Sequence, residues 1–134
     1  MKCLLDTCAL IWLLSEPEKL GVKATELIRD RRTDVYVSTV SFWEASLKSS
    51  IGKLTIEGVE LEEVDSILID DLFIGIIGLN EQESLSFYRL PFFDGHRDPF
   101  DRMLVWQAIK RDMALLTSDP ELEQYRQCGL RIIW

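Results

Sequence analysis

Carboxylates stand beside short apolar runs at four places in this chain, and their residue types suggest a metal site. The acids are Asp6, Glu44, Asp98 with Asp101, and Asp119. The single histidine and the three cysteines, which lack paired close spacings, indicate neither a zinc cluster nor a disulfide framework. Oxygen-only ligands are typical of Mg²⁺ or Mn²⁺, which also bind substrate phosphate oxygens. Such a site suits phosphodiester hydrolysis by a metal-activated water.

Length and composition narrow the class of protein. The 134 residues fit one domain, which we expect to span residues 1–134. With 47% hydrophobic and 28% charged residues, the chain is typical of a globular protein and not of a disordered or membrane-spanning one. The acid at Asp6 interrupts the first apolar run, which argues against a signal peptide, and we expect a cytoplasmic protein without membrane contact.

The net charge of −8 would ordinarily disfavour a nucleic-acid partner. Two bound divalent cations would halve this charge, and the ions themselves would then attract phosphate. The acidity of the whole chain therefore does not exclude RNA.

The elements that must position these acids alternate between short strands and amphipathic helices. The predicted strands are Lys2–Leu5, Val35–Ser38, Phe73–Leu79, Ala114–Thr117 and Leu130–Ile133. The predicted helices are Thr7–Leu14, Val22–Arg31, Ser41–Ser50, Glu62–Leu72, Glu81–Tyr88, Pro99–Arg111 and Pro120–Gln127. This alternation predicts an α/β fold of three layers, α/β/α, around a mainly parallel sheet.

The predicted sheet brings distant acids to one edge. Asp6 and Asp119 follow the first and fourth strands, and ligands of such sheets bind beyond the carboxyl ends of the strands. Glu44 comes just after the second strand, in the first turn of its predicted helix. The helix start at Asp98 can face the same edge if the preceding loop folds over it, and Asp101 would then point into the cleft from the first helical turn.

Each acid also has a purely structural interpretation. Asp6, Asp98 and Asp119 stand where an N-cap is expected, and a cap accepts backbone N–H bonds. Glu44 could simply pair with Lys48 one helical turn later. Asp98 before a proline is the strongest cap, so Asp101 is the preferred ligand of the two, and Asp98 is kept as an auxiliary acid.

Four segments in order resemble the PIN-domain ribonucleases, specifically the VapC-type toxins of toxin–antitoxin pairs. They are Leu4–Leu10 with Trp12–Leu14, Val37–Glu44 continuing to Lys48 and Ile51–Leu54, His96–Ala108, and Leu115–Pro120. Cys8 and Trp106 depart from the pattern, and neither departure removes a carboxylate. The resemblance implies a PIN-like domain with Mg²⁺-dependent endoribonuclease activity, a small cognate antitoxin whose segment occupies the cleft, and often a homodimer.

The resemblance also matches individual positions. It implies catalytic and metal-binding roles for the four acids Asp6, Glu44, Asp101 and Asp119. Asp98, Thr7 and Thr117 are auxiliary. The cations near the acids are candidates for contact with RNA phosphate, but Lys48 could instead orient Glu44, and Arg97 and Arg102 could instead neutralise the carboxylates. His96 is interpreted as a hydrogen-bonding loop residue and not as a general base.

Two other classes of function share features with this sequence. A haloacid-dehalogenase-type phosphohydrolase also uses an aspartate after its first strand, but it needs a second aspartate two residues later, where this chain has Cys8. That class is disfavoured. A PIN-like module that binds RNA or protein without catalysis stays open as the alternative.

Overall fold

A five-stranded, fully parallel sheet forms the centre of the protein. The computed structural model describes all 134 residues. The strands are β1 (Lys2–Leu5), β2 (Asp34–Ser38), β3 (Gly75–Ile77), β4 (Ala114–Leu116) and β5 (Arg131–Ile133), in the spatial order β3-β2-β1-β4-β5. The predicted α/β architecture with a parallel sheet is confirmed.

Helices connect the strands. They are α1 (Thr7–Ser15), α2 (Val22–Arg29), α3 (Thr39–Ser50), α4 (Val64–Ser66), α5 (Glu81–Ser86) and α6 (Pro99–Lys110). Turns of 3₁₀ helix occur at Pro17–Lys19, Leu61–Glu63, Phe87–Arg89 and Pro120–Cys128, and a π-helical turn at Ile67–Asp71 follows α4. None of the helices has the length and apolar character needed to cross a bilayer.

Both faces of the sheet are covered by apolar side chains, which gives the three layers. In β1, Leu4 packs into a core with α6, whereas Cys3 and Leu5 face the opposite core with α1 and α2. β4 repeats the pattern, since Leu115 faces α6 and its two neighbours face the other way. Successive side chains of a strand point to opposite faces, so near-continuous apolar strands are expected of a sheet buried on both sides.

Polar residues at the strand ends begin the following helices. Asp6 caps α1 by accepting from the Ala9 backbone N–H at 2.7 Å. Ser38, the last residue of β2, caps α3 by accepting from Val40 N–H at 3.1 Å. Each cap satisfies a backbone donor that the helix itself leaves unpaired. The chain therefore turns from strand to helix at the edge where the acids are found.

Several predicted boundaries are wrong. β3 is limited to Gly75–Ile77 because Phe73 has a left-handed backbone (φ 56°) that is incompatible with an extended strand. The predicted helix Glu62–Leu72 is divided among 3₁₀, α and π turns. Because the Ser38 cap starts α3 at Thr39 and not at Ser41, Glu44 lies in the second helical turn instead of the first.

Candidate metal site

Adjacent parallel strands bring Asp6 and Asp119 to the same edge of the sheet. β1 pairs with β4 with Leu5 opposite Leu116, and Asp6 N–H continues the pairing by donating to Leu116 O at 3.2 Å. Thr117 follows β4, and its hydroxyl accepts from Asp119 N–H at 3.1 Å. The predicted proximity of these two acids follows directly from the order of the strands.

Helix α3 adds Glu44 to this edge. A hydrogen bond of 2.9 Å from the Thr7 hydroxyl to the Ser41 hydroxyl joins α1 to α3. Glu44 is only 3% exposed; its Oε2 accepts from Lys48 Nζ at 2.6 Å, and its Oε1 is buried without a hydrogen-bond partner. An unpaired buried carboxylate oxygen is costly, and a bound cation would satisfy it.

Helix α6 adds Asp98 and Asp101. Asp98 Oδ1 accepts from the backbone N–H groups of Phe100 at 2.9 Å and Asp101 at 3.3 Å, with Pro99 at the first helical position. The predicted cap is therefore present. The Asp101 carboxyl accepts no hydrogen bond and is mostly buried, so it remains free to bind a ligand.

The electrostatics show that these acids share one environment. Burial, together with the smaller effects of the charges of Asp98, Glu44, Asp6 and Asp119, raises the pKa of Asp101 to about 7. Burial likewise raises the pKa of Asp6 to about 6, against the opposing effects of the Thr117 hydroxyl and the Ala9 N–H. Desolvation and mutual repulsion of carboxylates are the conditions that a bound cation relieves.

The acids do not form a finished ligand set. No three or more histidine, cysteine, aspartate or glutamate side chains converge closely enough to hold an ion by themselves. Magnesium commonly uses only one or two protein carboxylates and completes its coordination with water and substrate phosphate. The oxygen-only donors, together with the unpaired Glu44 Oε1, therefore fit a hard divalent cation.

Comparison with known proteins identifies the family. The family model described as "PIN domain" matches residues 3–127. The chain belongs to the PIN-domain family. No curated protein sequence matches it.

Solved structures share the PIN fold at low sequence identity. A VapBC2 structure from Rickettsia felis, bound to a DNA fragment from its promoter, is similar with a TM-score of 0.65 at 14% identity over 99% of this chain and 98% of that chain. A DNA-bound VapBC from Salmonella typhimurium has a TM-score of 0.64 at 14% identity, over 99% of this chain and 97% of that chain. VapBC-1 from nontypeable Haemophilus influenzae has a TM-score of 0.62 at 17% identity, over 99% of this chain and 97% of that chain.

The three basic residues assigned to phosphate contact occupy different positions in this PIN domain. Lys48 lies at the site, and its hydrogen bond to Glu44 is the main reason that its pKa is raised. Arg97 is exposed, with its guanidinium over the Phe92 ring at 5.7 Å. Arg102 differs from both because its side chain is buried.

Arg102 is 8% exposed, and hydrogen bonds inside the protein occupy its guanidinium. Nη2 donates to the backbone carbonyls of Leu90 at 3.1 Å and Pro91 at 3.3 Å, and Nε donates to the Tyr125 hydroxyl at 3.3 Å. These bonds anchor the loop at Leu90 and Pro91, which gives Arg102 a structural role; its contact with phosphate stays a prediction.

Two polar residues around the PIN-domain site, Ser41 and Tyr125, are not predicted from the sequence. Ser41 joins α1 to α3, and Tyr125 hydrogen-bonds both Arg102 and His96. His96 makes the hydrogen bond expected of it as a loop residue, and its ring also lies next to Asp101, with Nε2 3.8 Å from Asp101 Oδ2. The five-residue interval from His96 to Asp101 is the only signal for this proximity in the sequence.

Proposed function

We propose that this protein is a cytoplasmic, metal-dependent endoribonuclease that uses Mg²⁺ or Mn²⁺, with residues 1–134 forming one PIN domain. The observation that carries the proposal is the group of mutually repelling acids at the sheet edge, one of which, Glu44, has an unpaired buried oxygen. Such a group suits a cation, and a cation among carboxylates suits a phosphodiester substrate. Membership of the PIN-domain family supports the same chemistry.

Four acids carry the proposed chemistry: Asp6, Glu44, Asp101 and Asp119 would hold the metal. When bound, the metal supplies positive charge that activates water and neutralises a phosphate. Lys48 holds Oε2 of Glu44 and leaves Oε1 facing inward. Burial of Asp6 and Asp101 keeps bulk water from screening the charges at the site.

Supporting residues orient these acids. Asp98 caps α6 and so fixes the backbone that carries Asp101. Thr7 ties α1 to α3, and Thr117 holds the backbone of Asp119. Lys48 and the exposed Arg97 are the proposed contacts to RNA phosphate, because both are cations near the acids with part of their side chains in solvent.

We also propose that the protein is the toxin of a toxin–antitoxin pair and that a small antitoxin inhibits it. The similar structures named above are VapBC complexes, which supports this partner. A small, wholly apolar pocket between α1 and α3 would accept a single apolar side chain of such a partner. It is lined by Leu10, Ile11, Leu14, Phe42, Ala45, Ile56, Leu61 and Val64.

A catalytically silent binding module is the second candidate. The observation in its favour is that no three potential ligands converge into a closed set. Such a module would bind RNA or protein through the same surface without cleaving it. The experiment below separates the two functions.

The test is cleavage of end-labelled total RNA by the purified, antitoxin-free protein with Mg²⁺ or Mn²⁺. Parallel reactions contain EDTA, or the Asp6→Asn or Asp101→Asn variant. Asp94→Asn is the matched control, because Asp94 is an exposed acid of the loop before α6. We expect discrete products from the wild-type protein and from Asp94→Asn, and a loss of at least about 100-fold in the two site variants.

Two results would contradict the nuclease. A folded protein that binds Mn²⁺ but leaves all RNA intact would favour the silent module. Cleavage that persists in both site variants would show that the activity does not come from these acids.

A further inference from the structure

The loop before α6 turns the only histidine of the chain into the protein interior. His96 N–H donates to Phe93 O at 3.2 Å, which closes a four-residue turn. Gly95, the third residue of that turn, has φ 85°, a conformation that favours glycine and is typical of a type II turn. His96 is consequently 1% exposed although it lies in a loop.

Hydrogen bonding determines which nitrogen of this ring carries the proton. His96 Nδ1 lies 2.7 Å from the Tyr125 hydroxyl, which also receives a hydrogen bond from Arg102 Nε. A guanidinium has no acceptor, so the tyrosine proton cannot go to Arg102. Its partner within hydrogen-bond distance is His96 Nδ1, so the arrangement that satisfies the buried tyrosine proton has Nδ1 as the acceptor. The neutral ring then has its own proton on Nε2.

The other side of the ring faces the candidate metal site. Nε2 is buried without a hydrogen-bond partner, and the nearest carboxylate oxygen is Asp101 Oδ2 at 3.8 Å. A separation of 3.8 Å is too long for a hydrogen bond, but a small rotation of the Asp101 carboxyl would bring the two atoms into range. In the absence of the ligand, hydrogen bonds at catalytic sites often have long donor–acceptor distances, which shorten when the ligand binds.

We propose that His96 is a positioning residue for Asp101: the Arg102–Tyr125 pair holds the ring in its Nε2–H form, and this N–H orients the Asp101 carboxylate toward the metal. The proposal rests on the metal-binding part of the proposed function. His96 does not touch the metal or the RNA. It acts by restricting one carboxylate to the orientation in which its other oxygen is free to bind.

The tautomer can be tested on the wild-type protein without any variant. Because the chain has one histidine, a long-range ¹⁵N–¹H correlation spectrum reports a single ring. We expect the pattern of the neutral Nε2–H tautomer near neutral pH in EDTA. Tyr125→Phe keeps the aromatic ring but removes the hydroxyl, so the spectrum of this variant should shift toward a mixture of tautomers. A wild-type ring with its proton on Nδ1, or with protons on both nitrogens, would overturn the proposal.

The effect on the metal is measured by calorimetric titration with Mn²⁺. His96→Ala should weaken Mn²⁺ binding about tenfold, the lower end of what loss of a partner of a metal ligand costs. His96→Gln retains an N–H donor and should recover most of the affinity. Melting temperatures of both variants separate this effect from a loss of folding. Equal Mn²⁺ affinity in folded His96→Ala and wild-type protein would also overturn the proposal.

Failure of this proposal is distinguishable from failure of the proposed enzyme. RNA cleavage by a wild-type protein whose ring has the Nδ1–H form would reject the role of His96 and keep the nuclease. The expected tautomer with a tenfold loss of Mn²⁺ affinity in His96→Ala, but no RNA cleavage, would reject the nuclease and keep His96 as a positioning residue.

Discussion

At the scale of single residues, the candidate site shows that helix capping and metal binding are compatible. Asp6 caps α1 through Oδ1 while its carboxyl stays among the other acids. Asp98 uses its Oδ1 in the same way, whereas the carboxyl of the neighbouring Asp101 accepts no hydrogen bond. Capping therefore explains the positions of Asp6 and Asp98 but not the largely buried carboxyl of Asp101, which is the feature that points to chemistry.

The raised pKa values of Asp6 and Asp101 predict how the stability of the metal-free protein depends on pH. Their pKa values of about 6 and about 7 in the folded protein exceed the ordinary aspartate pKa of 3.8. Between about pH 4 and pH 7 the folded state thus binds more protons than the unfolded chain, and the free energy of unfolding falls as pH rises. We expect a lower melting temperature at about pH 8 than at about pH 5 in EDTA, measured by circular dichroism.

Mg²⁺ should offset this loss mainly at the higher pH, because it binds the deprotonated carboxylates. Asp101→Asn cannot titrate at this position, so its melting temperature should fall less with pH than that of the wild-type protein. Asp94→Asn, in the exposed part of the same loop, should behave like the wild type. A wild-type protein whose pH dependence matches that of Asp101→Asn would contradict the prediction.

At the scale of elements, a buried polar network joins β2 to α5 and α6. The Ser38 hydroxyl donates to Gln107 Oε1 at 2.6 Å, and Gln107 Nε2 donates to Glu83 Oε1 at 3.2 Å and to Gly78 O at 3.3 Å. Glu83 forms a capping box with Asn80 and an ion pair with Arg111 at 2.7 Å. This network fixes α6, the helix that carries Asp101, against the sheet.

Removing the central amide should destabilise the protein. Gln107→Ala removes a hydrogen-bond partner from the Ser38 hydroxyl and from Glu83 Oε1, and all three side chains are buried. We therefore expect the free energy of unfolding to fall by roughly 2 kcal/mol. Urea denaturation measures the change. Gln127→Ala is the matched control, since Gln127 is exposed and should change stability by less than about 0.5 kcal/mol. Equal urea midpoints for the two variants would show that the network contributes little.

At the scale of the whole molecule, α3 has an apolar stripe that faces solvent. Trp43, Leu47 and Ile51 follow one another at four-residue intervals and are 66%, 43% and 58% exposed. Residues four apart lie on the same side of a helix, so the three form one surface. Trp43 also packs edge-on against Phe100 at 5.2 Å, which extends this surface to α6. We propose that a second copy of the chain covers it in a homodimer.

A charge in this stripe should prevent dimerisation. Leu47→Glu places a carboxylate in the middle of the proposed interface, where burial without a partner is unfavourable. Light scattering coupled to size-exclusion chromatography should give a dimer mass for the wild-type protein and a monomer mass for this variant. Leu85→Glu, at an exposed leucine of α5, should remain dimeric. A wild-type monomer at all concentrations tested would contradict the homodimer.

The sequence alone determined the α/β alternation, the parallel sheet and the placement of Asp6 and Asp119 at one edge of that sheet. These depend on local signals, such as apolar strands, capping residues and proline, and on the rule that parallel strands end at one edge. The strand order that puts β1 beside β4, and so makes the two acids neighbours, came from the tertiary structure. Element boundaries were less accurate where the backbone departs from regular structure, as at Phe73 and in the turns around α4.

Only the tertiary structure decided how the long polar side chains are used. Arg102 has the sequence context of a phosphate contact, but a loop covers it and occupies its donors. His96 and Tyr125 are separated by 29 residues, and Glu44 has an unpaired oxygen only because other elements exclude water from it. Burial and long-range pairing arise from the packing of whole elements, which short sequence patterns do not contain.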